Sequence, residues 1–256
     1  MNPLFMTMAA VQPCFFEFPV ITRESGWPEN SDIFNTGTIL LLDKPLEWTS
    51  FDVVKYVRNR VQAKKAGHAG TLDPLATGLL IVCTGKATKI ISKIQDMPKT
   101  YEAVIRFGAS TPSYDAATEP DETADWEHIS HSGLKKIIHE KFSGIIDQKP
   151  PLYSAKKVSG KRLYQYAREG VEVEVKTRPV TIHQIEIVEI NLPEVTFIVR
   201  CGKGTYIRSL AHDLGLALNS RAYLSQLRRT ETGDFNVDLA FEPSLIDTLK
   251  RKVKYE

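Results

Sequence analysis

Apolar residues in this chain come in short runs that stop abruptly at proline or glycine, and this restricts the fold more than any other feature. Ile39 to Leu42 in "TGTILLLDKP" reads as a buried strand stopped by Pro45, and "LLIVC" as a second that turns at Thr84 and Gly85. Between them, "FDVVKYVRNRV" places Val54, Val57 and Val61 on one helical face behind a capping Thr49 or Ser50. A further helix carries Ile90, Ile91 and Ile94, and "GLKKIIHEKFSG" forms a stripe of Leu134, Ile137, Ile138 and Phe142. "TYEAVIRFGAS" alternates like a strand; "VEVEV", "TIHQIEIVEI" and "VTFIVRC" continue the strand pattern, and "TYIRSLAHDLGLAL" returns to helix. Strands and helices mix without strict alternation or internal repeat, which predicts an α+β fold with a mixed central sheet flanked by helices and loops.

Residues 1–35 carry no sustained period and read as an N-terminal extension, a tail or a strap, ahead of one domain over 36–256. At 256 residues, 42% apolar and 25% charged, the chain can bury a sizeable core. No apolar run approaches the roughly 20 residues that span a bilayer, and the first residues lack the basic start of a secretory signal, so a cytoplasmic protein is expected. Cys14, Cys83 and Cys201 are too scattered for a disulfide framework or a metal site. A net charge of +2 does not announce a nucleic-acid partner, so any such reading rests on where the cations lie.

Asp73 stands out within "AGHAGTLDPLATGLLIVCTGKATK". On spacing alone it is a turn-forming aspartate before Pro74, or a catalytic carboxylate on a loop ahead of a buried strand. Glycines 67, 70 and 78 favour the second reading, because they let a ligand approach backbone closely. "CTGKATK" lacks the spacing of a phosphate-binding loop. Farther on, "QKPPLYSAKKVSGKRLYQYAREG" packs Lys149, Lys156, Lys157, Lys161, Arg162 and Arg168 among Tyr153, Tyr164 and Tyr166. Such a mixture suits shape-directed RNA recognition or a solvated charged face. By periodicity Arg208 lies at the edge of a helical core stripe, and Tyr101 and Leu227 read as core.

The Asp73 segment resembles the catalytic motif of the TruB family of tRNA pseudouridine synthases. "LLLDKP", "KTYEAVIRFG", "RPVTIHQIEI", "CGKGTYIRSLAHDLG" and "YLSQLRRTETGDF" match the same family in the same order, over about residues 36 to 235. The resemblance implies a pseudouridine synthase fold and isomerisation of uridine 55 in the T loop of tRNA, a redox-neutral reaction needing no cofactor or metal. It implies tRNA as partner, a monomer, and no obligatory protein partner.

In that family pattern Asp73 is the catalytic aspartate, attacking the sugar or stabilising its positive charge while a glycal forms. Arg208 of "GTYIRS" would keep it ionised: a cation within about 4 Å is worth on the order of 4 kcal/mol at an effective dielectric near 20 and lowers a carboxylate pKa by about 1 to 3 units. Asp115 of "PSYDAA" would hold the arginine fork, and Tyr101 would stack on uracil and help remove the C5 proton. Leu227 would line the uracil site, and His68 would fill the place left by the flipped nucleotide. Gly70, Tyr153, Lys156 and Lys203 complete the expected substrate contacts.

Three departures accompany the resemblance. Glu47 stands where the family has glycine in "DKPxGxTS", "DAATEP" lacks the second Asp and the Gly that usually follow Asp115, and no C-terminal PUA module is apparent. Rival readings are a synthase working in a guide-RNA particle, an RNA-folding module, and a glycoside hydrolase. The last would need a second carboxylate about 5 to 9.5 Å from the first.

Overall fold

The computed structural model describes residues 17–154, 157–158, 160–169, 171 and 173–252. Two compact units divide the chain, Met1–Gln95 with Thr230–Glu256, and Asp96–Arg229.

In the first unit, β1 (Val20–Ile21) runs parallel to β2 (Gly37–Lys44), after the short helix α1 (Ile33–Thr36). Residues 17–36, read from the sequence as irregular, thus contribute a strand and a helical turn. Their apolar side chains explain it: Ile21 and Phe34 are buried, and Trp27 packs 5.3 Å from Phe34 and 6.5 Å from Phe241. β2 pairs antiparallel with β4 (Ala76–Gly85) from Gly37↔Gly85 to Lys44↔Gly78. Both strands are buried on both faces, so their sequence is a continuous apolar run rather than an alternation.

α2 (Ser50–Val61) starts where its capping residues predict: Thr49 accepts from the Asp52 amide while Asp52 accepts from Thr49, a reciprocal capping box. Val53, Val54, Val57 and Val61 form its buried face. Gly67 and His68, expected in a glycine-rich loop, instead belong to β3 (Ala66–His68), which pairs antiparallel with β4. A Cβ on Gly67 would lie 2.9 Å from Ile91 Cδ1, a terminal methyl that can rotate aside. The isoleucine-bearing helix begins as a 3-10 turn over Lys86–Ile90 before α3 (Ile91–Asp96).

The second unit holds β5 (Lys99–Phe107), the short pair β6 (Ala109–Ser110) and β7 (Glu122–Thr123), α4 (His131–Lys141) and β8 (Gly144–Gln148). The short pair β9 (Lys157–Val158) and β10 (Lys161–Arg162), then α5 (Leu163–Arg168), precede β11 (Arg178–Asn191), β12 (Glu194–Cys201), α6 (Ile207–Ala217) and β13 (Ala222–Thr232). Its sheet runs β13-β5-β12-β11-β8. β5 buries alternate residues, Tyr101 among them, and pairs antiparallel with β12 at Tyr101↔Val199. Within "VEVEV", the described residues 171 and 173–175 are irregular, for alternation alone supplies no neighbour to pair with. The chain then returns to the first unit through β14 (Phe235–Asn236), which pairs with the end of β13, and α7 (Ile246–Lys252).

Candidate active site

Asp73 sits half-buried on the loop between β3 and β4, and the backbone around it is held from several sides. The Ser50 hydroxyl, in the first turn of α2, accepts from the Leu72 amide at 2.8 Å and donates to the Leu72 carbonyl at 3.0 Å. On the other side of Asp73, the Pro74 carbonyl accepts from the Glu47 amide at 2.9 Å and from Lys44 Nζ at 3.2 Å. The Asp73 carbonyl itself accepts from the Ala76 amide at 3.0 Å. The two residues flanking the aspartate are therefore fixed through their peptide groups, a form of preorganisation.

Lys44 was read only as part of a strand-ending block, yet it is the ionic centre of this clamp. It is fully buried, and its ammonium also donates to the Pro45 and Trp48 carbonyls at 2.8 and 2.6 Å. Burial pushes Lys44 down to about 8, opposed by the carboxylates of Asp73 and Asp52. At neutral pH it stays mostly protonated and places a positive charge where Asp73 feels it. The signal available in sequence was a lysine ending an otherwise apolar buried strand.

His68 ends β3 opposite Val82, Ala69 is buried, and its amide donates to the Ile81 carbonyl at 2.9 Å. Gly70 has φ 108°, which an L side chain rarely adopts. His68, Gly70 and Asp73 thus share one short segment.

In the second unit, Arg208 is 4% exposed, not the edge residue that helical periodicity suggested. The reason is polar: its Nη1 donates to the carbonyls of Ser113 at 3.2 Å and Tyr153 at 3.0 Å, and lies 3.4 Å from Asp115 Oδ2. Asp115 is itself buried, accepting at Oδ1 from the Ser113 hydroxyl at 2.6 Å and the Ala117 amide at 3.0 Å. Where "DAATEP" departs from the family, Thr118 closes this turn, its hydroxyl accepting from the Ser113 amide at 3.2 Å. A buried guanidinium with a carboxylate and carbonyls around it has little freedom to rotate.

The start of α6 has no cap from its own side chain; Gln148 supplies one. Its amide oxygen accepts from the Tyr206 amide at 2.7 Å, and its nitrogen donates to the Tyr206 carbonyl at 3.0 Å. Ser209 donates to the Lys149 carbonyl at 2.7 Å. The segment 148–154 thus anchors the turn that carries Arg208, a positioning role that sequence reasoning missed for Gln148 and Ser209. Tyr153 enters by its carbonyl.

Tyr101 lies on β5 and is 9% exposed, with half-buried Leu227 on the adjacent β13. Lys203 stands apart from the Arg208 network: it pairs with Asp96 at 2.6 Å, both side chains being more than half exposed. Lys156 lies outside the described residues. Among the described residues no group of three or more His, Cys, Asp and Glu is placed to hold a metal, and no helix is long and apolar enough to cross a membrane. Cys83 and Cys201 are buried free thiols, pushed up by burial to about 12 and about 11.

Comparison with known proteins bears on these geometries. Residues 58–207 match the TruB family pseudouridylate synthase N terminal domain, a span that contains Asp73, Tyr101 and Asp115 and ends one residue before Arg208. The chain is 51% identical over 221 residues to tRNA pseudouridine synthase B of Flavobacterium johnsoniae, covering 82% of this chain and 95% of that protein. It is 49% identical over 217 residues to the protein of the same name from Bacteroides fragilis, covering 82% and 93%. Among solved structures, a chain of a Cbf5-Nop10-Gar1 complex is similar with a TM-score of 0.66 at 31% identity over 89% of this chain, which spans 60% of that one. A chain of an H/ACA RNP bound to a substrate RNA containing 2'-deoxyuridine gives 0.62 at 29% identity over 87% of this chain, which spans 57% of that one.

Proposed function

We infer that this chain, which belongs to the TruB family of pseudouridylate synthases, isomerises uridine 55 in the T loop of tRNA to pseudouridine. The observation that carries the assignment of roles is the backbone clamp on Leu72 and Pro74, which presents Asp73 on a fixed loop beside the buried cation of Lys44.

In the reaction the N-glycosidic bond breaks, uracil turns, and its C5 joins C1′ as the C5 proton leaves. Asp73, as carboxylate, either bonds to C1′ or stabilises the charge that develops there. Arg208 supports the ionised aspartate, and Asp115 with the Ser113 and Tyr153 carbonyls holds the guanidinium. Tyr101 stacks on uracil and assists proton removal from C5, while Leu227 lines the uracil site. The target base must first leave its stack at a cost of a few kcal/mol, and His68, between Gly67 and Ala69, takes its place. Gly70, Tyr153, Lys156 and Lys203 contact the RNA, Lys203 by exchanging Asp96 for phosphate. Cations bound to phosphate make affinity fall with salt. The working form is a monomer acting on tRNA in the cytoplasm without a protein partner.

The test is pseudouridine formation in an unmodified T-loop stem-loop RNA, wild type against Asp73→Asn. Wild type should convert the loop uridine, and the variant should lose about 10³-fold or more in rate, of order 4 kcal/mol, at unchanged melting temperature. Equal conversion by both would remove Asp73 from the chemistry, and RNA binding without conversion by either would leave only an RNA-binding protein.

A further inference from the structure

The second unit contains a cavity of about 560 Å³, of whose lining the chemistry above uses Tyr153 alone. One wall is the loop from Ser110 to Tyr114, and the others come from Asp121, Glu122, α6 through His212 and Leu216, and Arg221. The volume falls within the range of small-ligand sites.

One wall is a stacked aromatic pair. Tyr114 adopts φ 62°, unusual for a residue with a side chain, and its ring stacks on His212 at 3.9 Å with 14° between the planes. Burial moves His212 below its usual 6.5, so at neutral pH the pair is an uncharged stacked surface.

The polar wall is mostly acceptor. Asp121 Oδ1 accepts from the Ser110 hydroxyl at 2.7 Å, which fixes the carboxylate without using its other oxygen. Glu122 accepts from Arg221 Nε at 2.5 Å, and Arg221 Nη1 donates to the Ser220 carbonyl at 3.1 Å. That holds the guanidinium in place with further N–H groups to offer. Two carboxylates disfavour a phosphate. A flat ligand with adjacent N–H donors on one edge and acceptors on another suits the cavity. Guanine has that pattern: N1–H and the N2 amino group for a carboxylate, O6 and N7 for an arginine. Adenine and cytosine offer a single amino group, and uracil a single N–H.

The cavity also adjoins the arginine network. Tyr153, whose carbonyl accepts from Arg208, lines it, and Tyr114 precedes Asp115. We propose that this cavity is a subsite for a guanine base of the RNA substrate, stacked on the Tyr114 and His212 pair and read by Asp121 and Arg221. The proposal rests on the reading of the chain as an RNA isomerase and adds a base that is recognised without reacting.

The test titrates the full chain with guanosine, adenosine, cytidine and uridine, followed by saturation-transfer NMR, and repeats guanosine with Asp121→Asn and Leu216→Trp. Asparagine can keep the Ser110 bond, and Leu216 is 45% exposed, so tryptophan there fills the cavity from its rim. Guanosine should bind at least tenfold tighter than the other three, weaken at least tenfold in each variant, and raise the KM for a stem-loop RNA with kcat unchanged. Equal binding of all four nucleosides, or guanosine binding untouched by both variants, overturns the proposal. Guanosine bound alongside saturating RNA overturns the assignment to a substrate base. A chain that converts RNA but ignores guanosine refutes this subsite alone; one that selects guanosine but converts no RNA supports the guanine site and refutes the isomerase reading.

Discussion

Around Asp73 the holding contacts fall on backbone atoms and join residues 22 and 30 positions apart, Ser50 to Leu72 and Lys44 to Pro74. Around Arg208 they converge on one side chain and join residues 95 and 55 positions apart, Ser113 and Tyr153. The first arrangement is a loop fixed by the strand and helix just before it. The second exists only once two loops distant in sequence have met α6. On the proposed roles, a carboxylate at a reacting centre gains from a rigid backbone, whereas a supporting arginine must be aimed, which takes several fixed acceptors. Substitutions should therefore fail in different ways in the two regions.

The sharpest break in that contrast is Arg208→Lys. Lysine keeps the charge but not the fork, so kcat/KM in the stem-loop assay should fall about 10²- to 10³-fold, roughly 3 to 4 kcal/mol. Retained activity would show that charge alone suffices in this region.

Next comes Asp213→Asn, on the helix that carries Arg208. Burial pushes the Asp213 carboxyl up to about 6 from 3.8. Between those values the native chain holds a proton that the unfolded chain has lost, so this group's contribution to stability falls as pH rises through that window. Above pH 6 the difference is at most about 3 kcal/mol, from about 1.4 kcal/mol per unit. Urea unfolding should find the variant more stable at pH 8 and indistinguishable from wild type near pH 3.5; a constant offset would assign the effect to packing.

Ser50→Ala probes the other region. It leaves the buried Leu72 amide and carbonyl without their partner, and should cost about 2 kcal/mol in stability, with a loss of kcat that melting temperature at matched folding does not explain. Loss of stability with full kcat would mean that the clamp serves the fold only. The smallest effect is expected for Glu47→Gly. Glu47 has φ 68°, and relief of about 1 to 2 kcal/mol of left-handed strain, offset by glycine's greater freedom when unfolded, should leave about 0.5 kcal/mol of stabilisation by thermal melting.

These regions also differ in how far they can be read from sequence. The capped start of α2, the buried runs of β2 and β4 and the alternation of β5 follow from local spacing, and so does the presence of a loop at Asp73. Lys44 was missed because a lysine after an apolar run ordinarily marks a strand's exposed end, whereas here three carbonyls of neighbouring loops close over it. Arg208 was placed at the rim of its helix because periodicity carries no information on acceptors from Ser113 and Tyr153. Gly67 has the composition of a loop because glycine signals turns, while its backbone pairs with Cys83 of β4. "VEVEV" has the period of a strand, yet its described residues 171 and 173–175 are irregular. Where partners lie within a turn or two of chain, spacing suffices; where they come from distant loops, only the assembled fold supplies them.

The bond from Ser50 to Leu72 has a consequence in time. Water reaches the Leu72 amide only when the first turn of α2 lets go, and the Glu47 amide only when Pro74 swings away. Exchange of each proton with deuterium therefore reports the opening of its own bond, one at a helix end and one in the Pro74 turn, and Asp73 lies between the two.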